Sequence, residues 1–379
     1  MRQMFDFLII GGGVVGTALA RRLSHMKGRT ALLEKGSRLS GVQSTHNSAL
    51  VHPPAMMPPD KGTLKSTLGR EGSMLHRKLA DAFDVPVFQN GAIVTARSPE
   101  EFSGLQHLQK AGEKEGIHTM KLLQKEELAA LEPNLHPSLH GGLLMPEAMS
   151  ADTALLTSRL AANAEKNGAR IFMNADVAAI RNAGSVFDVE TADGRQFQSR
   201  FVINAAGAAS ARIASLIENE LPFTPVPRRG EYIVLGKAAE GFMHHIIYPL
   251  PTKVTKGILI IPQPDGTIRL GPTDTKQTMF HHALPTEAGI REIKEEVSRL
   301  AQNIPYEHTE RYYAGVRSSL ADLDFYIQPS RSHKRLIHLA GLDSPGVTAS
   351  PAIAEYVAGS LLPKIETIEE KAAPDRFGY

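Results

Sequence analysis

Three glycines set the first chemical possibility in this chain. In Gly11-Gly12-Gly13-Val14-Val15-Gly16 they occupy the positions of a dinucleotide-binding turn. Gly11 permits the tight turn, Gly13 lets a backbone approach a pyrophosphate, and Gly16 lets a helix lie close on a strand. The N–H groups and dipole of a helix starting there favour phosphate charge. Glu34 closes the next apolar run, where a carboxylate accepts hydrogen bonds from ribose hydroxyls. Gly11 and Gly16 also have P-loop spacing. Thr17-Ala18 then stands where Lys-Ser/Thr is required, so that reading fails. The chemistry is dinucleotide binding, with NAD and FAD both open at this point.

The elements around the turn must hold it as strand–turn–helix–strand. Phe5 to Ile10 is a short buried strand, and Val15, Leu19, Leu23 and Met26 repeat with helical period. Thr30 to Leu33 is the second strand. The N-terminal apolar run contains Asp6 and meets a glycine triplet at once, unlike a secretion signal. No run reaches the length of a membrane span. These features predict a soluble, cytoplasmic protein.

Further along, helices are predicted over 66–83, 99–131, 153–167, 286–302 and 351–362. Ser350 reads as the N-cap of the last, with Pro351 in its first turn. Strands are predicted over 85–96, 170–180, 187–191, 201–204, 311–327 and 336–339. Between Pro222 and Gly271 the texture is β, with Pro/Gly turns. The α/β pieces come from the beginning, middle and end, so the domains interleave. The expected boundaries are 1–80, 145–215 and 328–379 for one domain, and 81–144 and 216–327 for the other.

Composition narrows the functions. The 379 residues include 42% hydrophobic and 22% charged, enough apolar character for a buried core. A net charge of +2 gives no general pull toward nucleic acid. Without cysteine there are no disulfides, thiolate metal sites, Cys nucleophiles or cysteine-held iron–sulfur centres on the chain. His244-His245 and His281-His282 have no accompanying ligand pattern and read as solvated loop residues, so no metal is expected. No Gly-x-Ser-x-Gly elbow is present. The basic run Arg331–Arg335 reads as a solvated turn, with peripheral membrane contact as its alternative.

Several segments in one order carry a resemblance. They are the glycine turn with Glu34, Thr45–His52, Ile203–Gly207, Pro227–Leu235, Tyr248–Ile260, Asp265–Thr273, Ala314–Arg317 and Gly341–Ile353. Together the chain resembles the FAD-dependent oxidoreductases of the D-amino-acid-oxidase superfamily. Within it the likeness is greatest to flavin-dependent glycerol-3-phosphate dehydrogenases and oxidases, with L-2-hydroxyglutarate oxidases nearby. The resemblance implies an α/β fold: a Rossmann-like FAD-binding domain of the glutathione-reductase type, interleaved with a β-rich mixed-sheet substrate domain. FAD would lie extended against Gly11, Gly13, Val14, Val15, Gly16, Glu34, Lys35, Thr45, Asn47, Ser48 and Val177. Its remaining contacts would be Ala206, Gly207, Gly341, Gly346, Val347 and Thr348. First-turn N–H groups of the last helix would face the flavin edge that gathers negative charge on reduction.

For the reaction, oxidation of a CH–OH carbon, the resemblance points to four side chains. Arg317 is the anion clamp, since a guanidinium binds phosphate or carboxylate through parallel hydrogen bonds; Asp322 or Asp324 would be its partner in a purely structural role. His52 is the base, with a pKa suited to proton transfer near neutrality. Lys256 would add positive charge beside the substrate, and Ser344 a hydrogen bond. Arg229 and Tyr232 are secondary pocket candidates. Pro53-Pro54 departs from the family pattern after the histidine and raises the prospect of a tilted His52. The expected function is oxidation of sn-glycerol 3-phosphate to dihydroxyacetone phosphate. The alternatives are L-2-hydroxyglutarate or a related 2-hydroxy or amino acid, and a non-catalytic flavin-binding subunit. The electron acceptor stays open among oxygen, a quinone and a partner subunit.

Overall fold

The computed structural model describes residues 3–57, 62–251, 256–279 and 283–379. Its first sheet has eight strands. Gln3–Ile10 lies at the centre, parallel to Thr30–Leu33 on one side and Gln196–Asn204 on the other. Arg170–Phe172 extends the parallel array beyond Thr30–Leu33, and Leu336–Ala340 pairs with the end of Gln196–Asn204. Antiparallel strands Val177–Asn182, Phe187–Thr191 and Tyr326–Pro329 complete it. The register decides where a ligand can sit. Ile10 pairs with both Leu33 and Asn204, so three strands end at one level and release Gly11, Glu34 and Ala205 side by side. Ligands of open α/β sheets bind in the crevice at such carboxyl ends.

The helix Val14–Ser24 covers this sheet and packs on Thr153–Lys166 and Gly346–Tyr356. Phe7, Ile9, Leu19, Leu23, Leu32, Phe201 and Ile203 form the shared core, all fully buried. Leu64–Ala82 packs along the same closing helix. Its start is capped by Thr63, whose side chain accepts from the Ser66 N–H, and by Asp324, which accepts from Leu64 and Lys65.

The second sheet has nine strands. Its spine is the long antiparallel ladder of Pro225–Leu235 with Thr309–Leu320. Ile246–Tyr248 runs parallel to Ala92–Ala96 while its other neighbours are antiparallel, so the sheet is mixed, as expected. Leu50–Val51, Met149–Ala151 and Val87–Phe88 make a small third sheet. Tyr326–Pro329 already belongs to the first sheet, and Gly141–Met145 keeps the second sheet going through residue 145.

Three local expectations are corrected. The predicted helix over 99–131 is two helices, Pro99–Lys114 and Lys125–Leu131, around the strand Lys121–Gln124. Gly116, at φ +81°, lies just past the first, and Leu122 and Leu123 are drawn into pairing with Leu143 and Gly142. The closing helix begins at Gly346, not Pro351, and Ser350 is not its N-cap. Proline inside a helix removes one backbone donor. Here Ser350 Oγ donates to the Val347 carbonyl at 2.8 Å, and His76 Nε2 lies 2.7 Å from the same oxygen. That carbonyl therefore needs nothing from residue 351. Finally, His245 is not a freely solvated loop residue. Its Nδ1 lies 2.7 Å from Oε1 of the buried Glu132, which also accepts from the His244 N–H. His281-His282 lies outside the described residues. No metal-holding cluster occurs among the described residues.

Candidate active site

A cavity of about 1250 Å³ runs from the strand ends of the first sheet to the face of the second. It is lined by Glu34, Lys35, Val177, Asp176 and Arg212, and by Gly11, Gly13, Val14 and Val15 of the glycine turn. Asn47, Ser48, Ala206 and Gly207 continue the wall. Gly346 and Val347, in the first turn of the closing helix, also line it, with Ser344. Starting the helix at residue 346 places its first-turn N–H groups nearer the cavity than a start at Pro351 would, the Gly346 N–H itself donating to the Asp343 carbonyl. Gly16, Thr45, Gly341 and Thr348 do not line the cavity. Gly16 lets helix and strand touch: a Cβ there would lie 1.9 Å from the Gly11 carbonyl oxygen. Thr45 Oγ1 donates to Ser40 O at 2.7 Å, and Gly341 adopts φ +72° against the Asp324 backbone. Thr348 Oγ1 accepts from the His52 N–H at 3.1 Å.

The glycine cradle fits a dinucleotide. Gly11 sits at φ +114° with space for no side chain, since a Cβ would approach Ala205 O to 2.5 Å. Ser44 Oγ accepts from the Val14 N–H at 3.0 Å and braces the helix start. Glu34 bridges the turn through both oxygens, accepting from Gly12 N and Gly36 N at 2.7 Å each. Gly11→Ala combines a disfavoured φ with a backbone clash. We expect that variant to purify with most of its visible absorbance lost, read as the ratio of flavin to protein absorbance.

The structure brings His52, Lys256, Arg317 and Ser344 to the same chamber. His52 is 6% exposed and held on every side. Its Nδ1 lies 3.0 Å from Tyr248 Oη and its Nε2 lies 3.1 Å from Ser344 Oγ. Its carbonyl accepts from Ser73 Oγ at 2.7 Å. These partners fix the imidazole, while Pro53 continues extended into the short turn Pro54–Met56. Burial, reinforced by the charge of Lys256, pushes the His52 pKa well below the usual histidine value. The ring is therefore neutral at pH 7 and able to accept a proton. In the tautomer that carries its proton on Nδ1, toward Tyr248 Oη, Nε2 is the basic nitrogen, beside Ser344 Oγ.

Arg317 does not pair with Asp322 or Asp324. Its Nη1 donates to Asp274 Oδ1 at 2.7 Å and its Nη2 to Thr273 O at 2.7 Å. Asp324 is occupied in capping Leu64–Ala82 instead. Asp274 also takes a fork-like pair of bonds from Arg228, at 2.6 and 2.7 Å. Burial opposes ionisation of Asp274, but the two arginines outweigh it and hold its pKa below the usual carboxylate range. Arg228 and Arg317 stand directly opposite each other in the long ladder. Like charges facing across strands are unfavourable, and a carboxylate between them offsets the cost. Lys65 reaches the same chamber, bonded to Asp343 at 2.6 Å, and Asp343 accepts again from Ser319 Oγ at 2.6 Å.

Tyr232 lines the chamber, stacked on Tyr313 with centroids 4.6 Å apart and planes 8° from parallel. Tyr313 donates to Asn47 O at 2.6 Å, tying the second sheet to the Thr45–His52 segment. Arg229 faces the other way, 3.6 Å from the buried Glu231, and does not line the cavity. Sequence reasoning missed Arg228, Asp274, Lys65, Asp343 and Tyr248. Their only signal was charge or hydroxyl on otherwise apolar or turn-rich segments, because their partners lie far away in sequence.

The family model described as FAD dependent oxidoreductase matches residues 6–360. Glycerol 3-phosphate dehydrogenase of Caloramator mitchellensis is 31% identical over 97% of this chain and 76% of its own length. The mitochondrial L-2-hydroxyglutarate dehydrogenase of Caenorhabditis elegans is 27% identical over 94% of this chain and 93% of its own. Among solved structures, the FAD-bound, dithionite-reduced L-alpha-glycerophosphate oxidase of Mycoplasma pneumoniae superposes with a TM-score of 0.90. It is 26% identical, with 99% of this chain and 98% of that chain covered. Among the described residues no helix is long and apolar enough to cross a membrane. The chain belongs to the DAO family of FAD-dependent oxidoreductases.

Proposed function

We propose that the protein oxidises the secondary alcohol of a small dianion, foremost sn-glycerol 3-phosphate, to the ketone dihydroxyacetone phosphate. The observation that carries this reading is the charge of the substrate chamber. Among the described residues it is lined by Lys65, Arg228, Lys256 and Arg317 against only Asp274 and Asp343, an excess of two positive charges. Elsewhere in the same lining Arg212 pairs with Asp176, and Lys35 offsets its neighbour Glu34, so the excess lies with the charges around Arg317 and His52. A phosphate monoester close to −2 matches it, and a neutral alcohol does not.

FAD would be held by Gly11–Val15, Glu34, Ala206–Gly207 and Gly346–Val347, and would supply a ring able to take up the hydride. The chain's own residues do the rest. Arg317, with Lys256 lining the same cavity, binds the anionic group and thereby orients the carbinol carbon. His52 Nε2 accepts the hydroxyl proton, and Ser344 Oγ keeps that nitrogen directed into the chamber. We place the cofactor against the first sheet and the substrate against the second, following the interleaved boundaries read from the sequence.

L-2-hydroxyglutarate is a second reading, because it too is a dianionic secondary alcohol and the C. elegans relative carries that name. Single-turnover reduction under anaerobic conditions separates the two. We expect sn-glycerol 3-phosphate to reduce the bound flavin at least tenfold faster than L-2-hydroxyglutarate at equal concentration. The opposite order would replace the phosphate reading with the carboxylate one.

A further inference from the structure

We propose that Asp274 is a resident counter-anion for the clamp arginine, and that Arg228 is the anchor that keeps Asp274 compensated when an anionic ligand takes Arg317 over. The inference rests on the reading of Arg317 as the clamp, and it concerns how that clamp is kept and released.

Two arginines face each other across the ladder, and one carboxylate serves both. The sharing is unequal. Arg228 gives Asp274 two parallel bonds, from Nε and Nη2, whereas Arg317 gives it one, from Nη1. A second Arg317 bond goes to the Thr273 carbonyl and the side chain also meets Tyr232, so Asp274 holds only a minor share of the five guanidinium N–H donors. Removing one partner of a buried ion pair is costly when it strands the other charge. Here it strands nothing, because the fork from Arg228 remains on Asp274 after Arg317 has changed partners. The exchange is therefore cheap, and the carboxylate competes with the ligand for the same guanidinium. Asp274 is a positioning residue in this scheme. It fills the clamp before the substrate arrives and helps displace the anionic product afterwards.

The test uses oxidised holoenzyme and inorganic phosphate as probe, so it does not depend on which alcohol is the substrate. In Asp274→Asn the competitor's charge is gone. Phosphate should bind about tenfold more tightly by calorimetry, and should raise the melting temperature more than it does in wild type. Arg228→Gln, which hands Asp274 wholly to Arg317, should weaken phosphate binding about tenfold. The double variant should bind as tightly as Asp274→Asn alone, the non-additivity expected of one coupled unit. If Asp274 merely holds Arg317 in place, Asp274→Asn will bind phosphate more weakly than wild type. If Arg228 contacts the ligand itself, its penalty will persist in the double variant. Either result overturns the proposal. Absence of phosphate binding to wild type, with substrate reduction intact, would do so as well. Failure of sn-glycerol 3-phosphate to reduce the wild type while phosphate still binds would count against the substrate reading alone.

Discussion

Arg317→Ala is expected to lower kcat/KM for the anionic alcohol about 10³-fold while leaving the bound flavin in place. Truncating one member of a desolvated, hydrogen-bonded charge pair costs about 3–5 kcal/mol, which corresponds to this range. The cofactor-binding turn lies on the other sheet, and Asp274 keeps Arg228, so neither flavin content nor the fold depends on the lost guanidinium. Arg317→Lys should recover only part of the loss, because an ammonium lacks the planar fork that grips phosphate or carboxylate through parallel bonds. Steady-state kinetics on flavin-replete protein distinguish these outcomes. Wild-type KM and kcat in Arg317→Ala would remove Arg317 from the substrate site.

His52→Gln should act differently. It retains polarity and most of the volume but cannot take a proton, so kcat should fall about 10²–10⁴-fold with KM little changed. The pH profile gives an independent signature. A base works in its unprotonated form, so activity is present above its pKa and lost as pH falls through it. Burial first, and Lys256 second, depress the His52 pKa from the ordinary 6.5. The acid limb of kcat/KM should therefore lie below 6.5, with the rate flat through neutrality. Lys256→Met removes a like charge and should move that limb upward, toward the ordinary histidine value. An acid limb unmoved in Lys256→Met would detach the lysine from the histidine's titration. An unchanged kcat in His52→Gln would show that the proton goes elsewhere.

The parts legible in sequence were those decided by local rules. The glycine turn announces itself because steric demands at Gly11, Gly13 and Gly16 admit almost no other residue, and the strand and helix periods flank it. The change of texture from α/β to β-rich sequence predicts a mixed-sheet β-rich part beside an α/β part, and the structure has a nine-stranded mixed sheet and an eight-stranded sheet covered by helices. Legibility failed where a distant contact overrides a local signal. Ser350-Pro351 has the form of a helix start, yet His76 and Ser350 satisfy the carbonyl that proline leaves unpaired, so the helix runs through it. The stretch over 99–131 has helical composition, yet Leu122 and Leu123 complete a sheet edge. Asp322 and Asp324 lie close to Arg317 in sequence, but the ladder register brings Arg228 opposite it and the Gly271–Asp274 turn supplies the carboxylate. Pairing across strands nearly ninety residues apart follows from register, which no local pattern shows.

The central claim is that a chamber carrying two excess positive charges presents a dianionic alcohol to the bound flavin. Its most direct measurement is anaerobic titration of the purified holoenzyme with sn-glycerol 3-phosphate, following visible flavin absorbance and ketone product together. The account predicts complete bleaching with one dihydroxyacetone phosphate formed per flavin reduced, and no bleaching by uncharged glycerol at the same concentration. Flavin that stays oxidised with every dianionic alcohol, or is reduced equally well by glycerol, would contradict it.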